Sequence, residues 1–376
     1  MSDILNGLNP QQKEAVMHTE GPLLILAGAG SGKTRVLTHR IAYLIENGFA
    51  EPEDILALTF TNKAAKEMKE RAASLTGKAA DKMLITTFHS ACVKFLKNRM
   101  MLLGYKRGNF VIYDTDEQKK IIRAIFEETD FQSRCPEIKE YNVISFISKQ
   151  KEKMLGPDEL ESIYPDYPLI TVYKEYERIL KKNNALDFDD LLWKTVQLFE
   201  NYPHILHSYQ EQFKYIMVDE YQDTNLVQFK IISMLADKYQ NLCVVGDDDQ
   251  SIYSFRGADI RNILEFEKEF QNTKVIKLEE NYRSTKNILS AANAVISHNQ
   301  ERKEKKLWTQ GEEGSKLRTI TLPDATTEAK FIVSEIERMH NREKADYKDF
   351  AILYRTNAQS RLFEQCLTMK DIPYRL

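Results

Sequence analysis

The sequence predicts an α/β protein with a doubly wound parallel sheet and a helical insertion. Short, almost continuously apolar runs recur along the chain and alternate with stretches of helical periodicity. Such runs are typical of strands buried on both faces of a parallel sheet, and their alternation with helices favours βαβ topology. A glycine-rich segment directly follows the first run, and a charged, helix-patterned interval at residues 114–199 interrupts the alternation.

The candidate strands follow one another along the chain. They are residues 23–26, 55–60, 83–88, 215–218, 242–245, 275–278 and 351–354. Residues 63–75 and 359–368 show helix patterns, with the apolar side chains along one side. A basic stretch at residues 302–306, followed by residues 311–314, predicts a surface loop. Residues 372–376 resemble the opening of another strand, so the end of the sequence resembles a cut through a domain.

The first of these strands leads into a glycine-rich turn. Glycines let backbone N–H groups close around phosphate oxygens at the start of the helix that follows. Lys33 can neutralise the β- and γ-phosphates and the Thr34 hydroxyl can bind Mg²⁺, so the segment predicts a nucleoside triphosphate site. Ala27 stands where the strict pattern has glycine, and the alternative is an ordinary turn between strand and helix. The turn consists of Ala27, Gly28, Ala29, Gly30, Ser31, Gly32, Lys33 and Thr34.

The composition fits two or three globular domains, each with its own core. The 376 residues are 42% hydrophobic and 29% charged, with a formal net charge of −3. A nucleic-acid site must therefore be a local patch or groove. No leader or membrane-spanning apolar run is visible, which predicts a cytoplasmic protein. The cysteines lie far apart and are interpreted as buried thiols of a reduced compartment; they are Cys92, Cys135, Cys243 and Cys366.

Two acidic strand ends extend the predicted phosphate site. The run at 215–218 ends in Asp219 and Glu220, and in a parallel sheet this end faces the phosphate loop. Asp219 would hold Mg²⁺ and Glu220 would polarise the attacking water. The run at 242–245 leads into three aspartates and Gln250. This second end is either a solvated turn, a metal site, or a γ-phosphate sensor in which Gln250 is the sensing group.

Longer motifs of the chain resemble those of superfamily 1 DNA helicases of the UvrD/Rep/PcrA type. They are DEYQDTN at 219–225, GDDDQSIYSFRGA at 246–258, ENYRS at 280–284 and LNPQQ at 8–12. The resemblance covers essentially the whole chain and implies a RecA-like P-loop NTPase fold with part of a second α/β lobe. It assigns residues 1–110 and 191–284 to a first motor domain, 111–190 to a helical insertion subdomain, and 285–376 to the first part of a second motor domain.

The resemblance also implies roles around ATP and Mg²⁺. Gln12 is similar to the residue that reads the adenine edge, and Tyr282 to the ring that stacks on adenine. Arg283 is similar to one of two arginines that stabilise charge on the γ-phosphate, and Arg35 to a further nucleotide contact. The predicted catalytic set is then Lys33, Asp219, Glu220, Gln250 and Arg283, with Thr34 and Asp219 as the metal ligands.

Other matched stretches face single-stranded DNA in the family. Aromatic faces can stack on bases without sequence preference, and polar or basic side chains can bind phosphates and sugars. Taken singly, each aromatic reads as a core residue and His89 as an ordinary satisfied histidine, so these assignments depend on the resemblance. The predicted DNA contacts are Phe60, Thr61, Asn62, Thr87, His89, Phe188, Tyr253, Phe255, Arg256, Arg355 and Asn357.

The leading hypothesis is an ATP-dependent 3′→5′ DNA helicase and single-stranded DNA translocase, present as an N-terminal fragment. Its expected partners are single-stranded DNA, 3′-tailed duplex DNA, and repair, replication or transcription proteins. Phe255 replaces the tryptophan usual in the family, and the second γ-phosphate arginine is absent from the sequence. One alternative is therefore an ATP- and DNA-binding fragment with little or no turnover. Another is a P-loop ATPase that acts on a protein partner.

Overall fold

The structure is a computed structural model that describes residues 3–300 and 302–376. The chain divides into two compact units, one ending at Gly314 and the other spanning Ser315–Leu376. The predicted boundaries between motor domains and insertion stay a prediction. Each unit is described by itself below.

The larger unit is built on a parallel β-sheet. Its six strands lie in the order β3-β2-β6-β7-β1-β8, and every neighbouring pair is parallel. A separate parallel pair joins β4 to β5. The strands are β1 Leu23–Ala27, β2 Ile55–Thr59, β3 Leu84–Thr87, β4 Val111–Ile112, β5 Ala185–Leu186, β6 Tyr215–Val218, β7 Leu242–Gly246 and β8 Lys274–Leu278.

Helices cover both faces of this sheet, which confirms the predicted α/β class. Successive side chains of β1 point to opposite faces. Leu24 and Leu26 enter one apolar cluster, whereas Leu23 and Ile25 enter the other. The continuous apolar runs predicted as strands are explained by this burial on both sides. The helices of the larger unit are α1 Pro10–Met17, α2 Lys33–Glu46, α3 Asn62–Thr76, α4 Phe88–Leu96, α5 Thr115–Glu128, α6 Phe131–Arg134, α7 Glu140–Glu152, α8 Pro157–Ile163, α9 Pro168–Asn183, α10 Phe188–Asn201, α11 Pro203–Gln212, α12 Leu226–Ala236, α13 Arg261–Leu264, α14 Phe266–Glu269 and α15 Lys286–Ile296.

The charged interval between β3 and β6 is helical, as its periodicity predicts. Helices α5 to α9 enclose an apolar cluster of their own, which includes Ile122, Phe131, Val143 and Tyr173. Helix α10 instead packs on the sheet side through Leu191, so it links the insertion to the main core. A second core explains how so long an insertion keeps a defined shape.

The smaller unit contains α16 Ala325–Glu343 and α17 Ser360–Met369. Val333 and Leu367 pack together with Ile372. The helix predicted at 359–368 is confirmed, but the strand predicted at 351–354 is wrong, because these residues lie outside any helix or strand. A strand needs a hydrogen-bonded neighbour, and the described part of the chain pairs none with this segment.

The four cysteines are free thiols. Cys92 and Cys243 are buried as predicted, and burial raises the pKa of each, to about 12 and about 11 respectively. The prediction of burial is wrong for Cys135 and Cys366, which are only partly buried.

Within residues 3–300 and 302–376, no helix combines the length and the apolar character that crossing a bilayer requires.

Candidate active site at the carboxyl edge of the sheet

The residues predicted to act lie in loops that follow the sheet strands. Because all six strands are parallel, these loops meet at one edge of the sheet. Apart from Gln12 of α1, the residues predicted to contact or act on nucleotide follow β1, β6, β7 and β8, which are adjacent in the strand order. Two of the stretches predicted to contact DNA follow β2 and β3, at the other end of that order. The separation is only partial, because Tyr253, Phe255 and Arg256 of the DNA set follow β7, in the part of the edge that carries the nucleotide set.

The glycine-rich turn forms a compact loop between β1 and α2. Gly30 and Gly32 have φ of 68° and 89°, a left-handed conformation that favours glycine. The Ser31 hydroxyl donates to the Gly28 carbonyl over 2.7 Å, which closes the loop on itself. Helix α2 begins at Lys33, and among the described residues no side chain caps its first N–H groups. Those free N–H groups and the helix dipole make this terminus a natural anion site.

A cavity of about 320 Å³ opens above this turn. Four cationic side chains and two carboxylates line it, an excess of positive charge that suits a polyphosphate. Glu67 and Arg71 of α3 belong to the lining, although sequence reasoning did not single them out. The lining residues are Ala29, Gly30, Gly32, Lys33, Thr34, Arg35, Glu67, Arg71, Glu220, Gln250 and Arg283.

Lys33 and Glu220 meet at this cavity. The Lys33 Nζ lies 2.7 Å from Glu220 Oε2, and the Glu220 side chain is 40% exposed. Glu220 has φ of 49°, which is unusual for a residue other than glycine. This turn directly after β6 aims the Glu220 side chain away from the strand and toward the glycine-rich loop. The sequence predicts that the strand end carrying Glu220 faces the phosphate loop, and in the structure Glu220 forms a direct ion pair with Lys33 of that loop.

Asp219 lies deeper than its neighbour. Its N–H donates to the Leu58 carbonyl of β2 over 3.0 Å, and its Oδ1 accepts from the Glu220 N–H over 3.0 Å. Burial, together with the nearby Glu220 charge, raises the pKa of Asp219 to about 6, against the effect of Lys33 and a hydrogen bond from Thr34. A buried carboxylate beside a hydroxyl is a donor pair that suits Mg²⁺, and the cost of burying this charge favours a cation there.

Gln250 is linked to Glu220 through two buried groups. Its Nε2 donates to Asp247 Oδ2. The Asp247 N–H donates to Gln222 Oε1 over 2.9 Å, and Gln222 Nε2 donates to Glu220 Oε2 over 3.0 Å. Gln222 is buried. Sequence reasoning quoted Gln222 within a motif but gave it no role.

The segment after β8 holds the glycine-rich loop from the other side. Asn281 Nδ2 donates to the Ala29 carbonyl over 2.6 Å, and its Oδ1 accepts from the N–H groups of Arg283 and Ser284. A Cβ on Gly30 would lie 2.6 Å from Asn281 Nδ2. Asn281 is buried, and its side-chain amide bonds to both the glycine-rich loop and the backbone of residues 283–284. It therefore fixes Arg283 relative to the loop, a role that its place in the ENYRS motif could have suggested.

Tyr282 and Gln12 lie close to the same loop. Tyr282 is exposed, and its hydroxyl donates to Glu280 Oε2 over 2.7 Å and accepts from Asn9 Nδ2 over 2.9 Å. Gln12 is buried; its Nε2 donates to the Ser31 carbonyl over 2.9 Å, and its Oε1 accepts from the Asn9 N–H over 3.1 Å. The structure thus shows Gln12 tying α1 to the loop, while its reading of adenine stays a prediction.

The acidic turn after β7 is neither a solvated turn nor an open metal site. Asp247, Asp248 and Asp249 lie close enough to share one cation. The Lys305 ammonium contacts all three carboxylates. Lys305 is buried, so the prediction of a surface loop at 302–306 is wrong at this residue.

The aromatic side chains predicted to contact DNA differ in exposure. Phe188, Tyr253 and Phe255 are exposed, and Phe255 is 75% exposed. The Arg256 guanidinium lies over both rings, 5.3 Å from the Tyr253 centroid and 5.5 Å from that of Phe255. Phe60 is half-buried and packs against the core, with its ring 5.6 Å from that of Phe88. The exposed rings can receive bases, whereas Phe60 has less free surface for stacking because it packs against the core.

The polar residues of this set lie at the starts of helices. The Thr61 hydroxyl accepts from the Ala64 N–H at the start of α3, where Asn62 is exposed. The Thr87 hydroxyl accepts from the Ser90 N–H at the start of α4. His89 packs edge-on against Phe188 at 5.8 Å, and burial lowers its pKa. Helix starts can hold phosphates, but the two threonines also serve as ordinary caps.

Arg355 and Asn357 belong to the smaller unit and are exposed there. Their predicted contact with DNA stays a prediction.

The fold and the loop together define a P-loop NTPase. The profile of the UvrD/REP helicase N-terminal domain matches residues 8–271, and that of the UvrD-like helicase C-terminal domain matches residues 276–376. The chain belongs to the UvrD/REP helicase family.

Individual relatives agree with this assignment. The chain is 48% identical over 378 residues to the ATP-dependent DNA helicase PcrA of Bacillus subtilis (strain 168), an alignment covering 100% of this chain and 51% of that relative. It is 49% identical over 377 residues to the proteins of the same name from Staphylococcus epidermidis (strain ATCC 12228 / FDA PCI 1200) and Staphylococcus aureus (strain Mu50 / ATCC 700699), with the same coverage. The chain spans about half the length of the curated relatives it matches.

Proposed function

We propose that this chain binds and hydrolyses ATP and couples hydrolysis to movement along single-stranded DNA, as part of a 3′→5′ helicase. The contact between Lys33 and Glu220 carries the proposal. It brings a phosphate-binding cation and a candidate base together beside a loop shaped for a polyphosphate. The relatives that cover the whole chain are named ATP-dependent DNA helicases, which supports the choice of ATP and DNA.

The proposed chemistry is transfer of the γ-phosphoryl group to water. Glu220 accepts the proton of the attacking water as the new P–O bond forms and the bond to ADP breaks. Lys33 exchanges its carboxylate partner for the phosphates, which leaves Glu220 free to act. Arg283 and Arg71, which both line the cavity, neutralise charge on the phosphates.

Mg²⁺ fits the pair Thr34 and Asp219. The Thr34 hydroxyl hydrogen-bonds the buried Asp219 carboxylate beside the phosphate loop. When bound there, Mg²⁺ would neutralise charge on the β- and γ-phosphate oxygens.

The proposed DNA contacts of the larger unit lie after β2, β3 and β7 and at the start of α10. Phe188, Tyr253 and Phe255 present exposed rings to bases, and the starts of α3 and α4 present N–H groups to phosphates. The 3′→5′ polarity, the use of 3′-tailed duplex DNA, and repair, replication or transcription proteins as partners rest on the family resemblance.

The second candidate is an ATP- and DNA-binding chain with little turnover. This candidate is favoured because the chain aligns with only about half of the length of these relatives. Loss of one transition-state arginine can lower the rate by about 10³-fold or more. A chain that lacks the second arginine would then bind both ligands but release phosphate slowly.

Phosphate release measured with and without an excess of oligo-dT tests the proposal. We expect DNA to stimulate release. Glu220→Gln should lower the rate by at least about 100-fold while ATP binding persists, and Lys33→Ala should weaken binding itself. Lys66→Ala, an exposed lysine on α3, is the matched control.

The outcomes separate the candidates. Normal phosphate release in Lys33→Ala and Glu220→Gln would overturn the assignment. Tight binding of both ligands with negligible release would favour the second candidate. Release that ignores DNA would favour an ATPase acting on a protein partner.

A further inference from the structure

A lysine from a distant loop fills the acidic turn beside Gln250. The Lys305 Nζ lies 2.9 Å from Asp247 Oδ1 and 2.7 Å from Asp249 Oδ2, and it also contacts Asp248 Oδ1. Lys305, Asp247 and Asp248 are all buried. So many charges are buried together only when they are paired and hydrogen-bonded. The turn therefore depends on Lys305 for its charge balance.

A second cation from the same loop completes the arrangement. Arg302 Nε and Nη2 donate to the two oxygens of Asp249 over 2.9 and 2.7 Å, a bidentate pair. Arg302 Nη2 also donates to the Lys305 carbonyl over 3.1 Å, and the Lys303 N–H donates to Asp248 Oδ2 over 2.8 Å. Burial opposes the charge on Asp249, but Arg302 and Lys305 outweigh it and hold the pKa of this carboxyl below its usual value.

Asp247 connects this cluster to the candidate catalytic groups. One of its carboxylate oxygens contacts Lys305, and the other accepts from the Gln250 side chain. Its N–H donates to Gln222, which in turn donates to Glu220. The orientation of Gln250, and through Gln222 that of Glu220, is therefore tied to the position of Asp247.

The same loop also reaches the glycine-rich turn. A Cβ on Gly28 would lie 2.2 Å from Leu307 Cδ2, so Leu307 lies directly against the loop backbone. The Trp308 carbonyl accepts from the Asn281 N–H over 2.8 Å, and Asn281 holds the Ala29 carbonyl. Residues 302–308, which we term the clasp, thus contact the elements after β1, β7 and β8.

We propose that Lys305 is a positioning residue that acts through Asp247 to hold Gln250 and Glu220 in the geometry that recognises a γ-phosphate. This inference rests on the proposed function. It deepens that function by assigning triphosphate recognition to a residue outside the cavity. Because Lys305 acts on the γ-phosphate side alone, its loss should weaken binding of a triphosphate more than binding of a diphosphate.

Displacement of a fluorescent nucleotide by Mg²⁺-ATPγS and by Mg²⁺-ADP measures this selectivity in the 376-residue chain. For Lys305→Met we expect a Kd for ATPγS raised by about tenfold, and one for ADP raised by less than about twofold. Lys305→Arg, which keeps the cation, should return the ATPγS affinity to within about threefold. Lys306→Met, the exposed neighbour, is the matched control.

Arg302→Gln supplies a milder variant that leaves Lys305 in place, in case Lys305→Met does not fold. We expect about a threefold loss of ATPγS affinity with ADP binding retained. Hydrogen exchange of the nucleotide-free proteins should also be faster in residues 247–256 and unchanged in α9.

The outcomes are distinct. If both variants keep the wild-type ratio of the two affinities, or lose both affinities equally, the positioning role is wrong although the proposed function stands. If the wild-type chain binds neither nucleotide, the proposed function fails, and this inference fails with it.

Discussion

Asp219 and Glu220 are adjacent in sequence, yet their surroundings give them different tasks. Asp219 is buried at the end of β6, whereas the Glu220 side chain turns toward the cavity and is 40% exposed. The left-handed conformation of Glu220 produces this difference, because it redirects the chain directly after the strand. Two identical functional groups thereby become one candidate metal ligand and one candidate base.

Asp219→Asn should stabilise the fold near neutral pH. The native pKa of Asp219 is raised to about 6 from 3.8 by burial and Glu220, so the native state holds this proton more tightly than the unfolded state. Protonated Asp219 makes its whole contribution to the free energy of unfolding at pH values below 3.8, the pKa of the unfolded state. This contribution is lost as the pH rises through about 6, where Asp219 ionises in the native state. At pH 7 the ionised Asp219 carboxylate therefore costs about 3 kcal/mol of unfolding free energy. The neutral side-chain amide of the Asp219→Asn variant avoids this cost.

Urea unfolding of both proteins at pH 7 and pH 4.5 measures this effect. The variant should gain stability at pH 7, with a gain that shrinks toward pH 4.5, and should lose Mg²⁺-dependent nucleotide affinity. Glu304→Gln, at an exposed carboxylate, should show neither change. Equal stabilities of Asp219→Asn and the wild type at pH 7 would contradict the assigned cost of burial.

Phe255 provides a test of base stacking. Its exposed ring lies beside Tyr253 and under the Arg256 guanidinium. Phe255→Ala should weaken binding of fluorescein-labelled oligo-dT by about 5- to 150-fold, since stacking on one base is worth about 1–3 kcal/mol. Phe255→Trp should bind at least as tightly as the wild type, because the larger ring offers more stacking area.

Fluorescence anisotropy at fixed salt is the appropriate measurement, because non-specific DNA affinity varies strongly with salt. Tyr164→Ala removes an exposed aromatic from the insertion and serves as the control. Unchanged affinity in Phe255→Ala would show that this ring does not stack on DNA.

At the scale of elements, the sequence predicts best what is set by local pattern. The continuous apolar runs of β1, β2, β6 and β7 identify strands because both faces of the sheet are covered. The equally apolar run at 351–354 forms no strand, since pairing depends on a partner and not on the run itself.

The site was predictable to the extent that its residues lie in compact motifs. Lys33, Glu220 and Gln250 follow strands directly, so their meeting could be inferred from the parallel sheet. Lys305 could not be found this way, because a lysine in a charged stretch normally lies at the surface. Its burial arises from a partner that is distant in sequence, at Asp247.

The insertion depends on a comparable buried cation. Lys151 of α7 contacts Glu177, Asp187 and Asp190 at 2.7, 2.8 and 2.8 Å, and is fully buried. Lys151→Met would leave these carboxylates without their cation, so we expect a loss of about 3–5 kcal/mol in unfolding free energy. Lys153, the residue directly after the end of α7, is exposed, so Lys153→Met should have little effect on the unfolding free energy.

Chemical denaturation followed by circular dichroism measures this loss. Because Asp187 caps α10 directly before Phe188, oligo-dT affinity should fall together with stability. A Lys151→Met protein as stable as Lys153→Met would show that the carboxylates adapt without the cation.

At the scale of the whole molecule, the candidate nucleotide site lies within one unit. Every residue that lines the cavity precedes Gly314, and so does the clasp. A chain shortened to end at Gly314 should therefore bind Mg²⁺-ATPγS within about twofold of the full chain. Titration with a fluorescent analogue measures this affinity, and Lys33→Ala in the shortened chain should abolish binding.

A tenfold loss of affinity in the shortened chain would contradict this expectation. It would mean that residues 315–376 contribute to the nucleotide site itself.

The strand order also has a consequence for biosynthesis. β1, which carries the glycine-rich loop, pairs only with β7 and β8, and both are made much later than β1. Closing such distant pairs is slow, and unpaired apolar strands are prone to aggregate in the meantime. The strand that carries the glycine-rich loop therefore gains both of its sheet neighbours only after residues 242–278 have been synthesised.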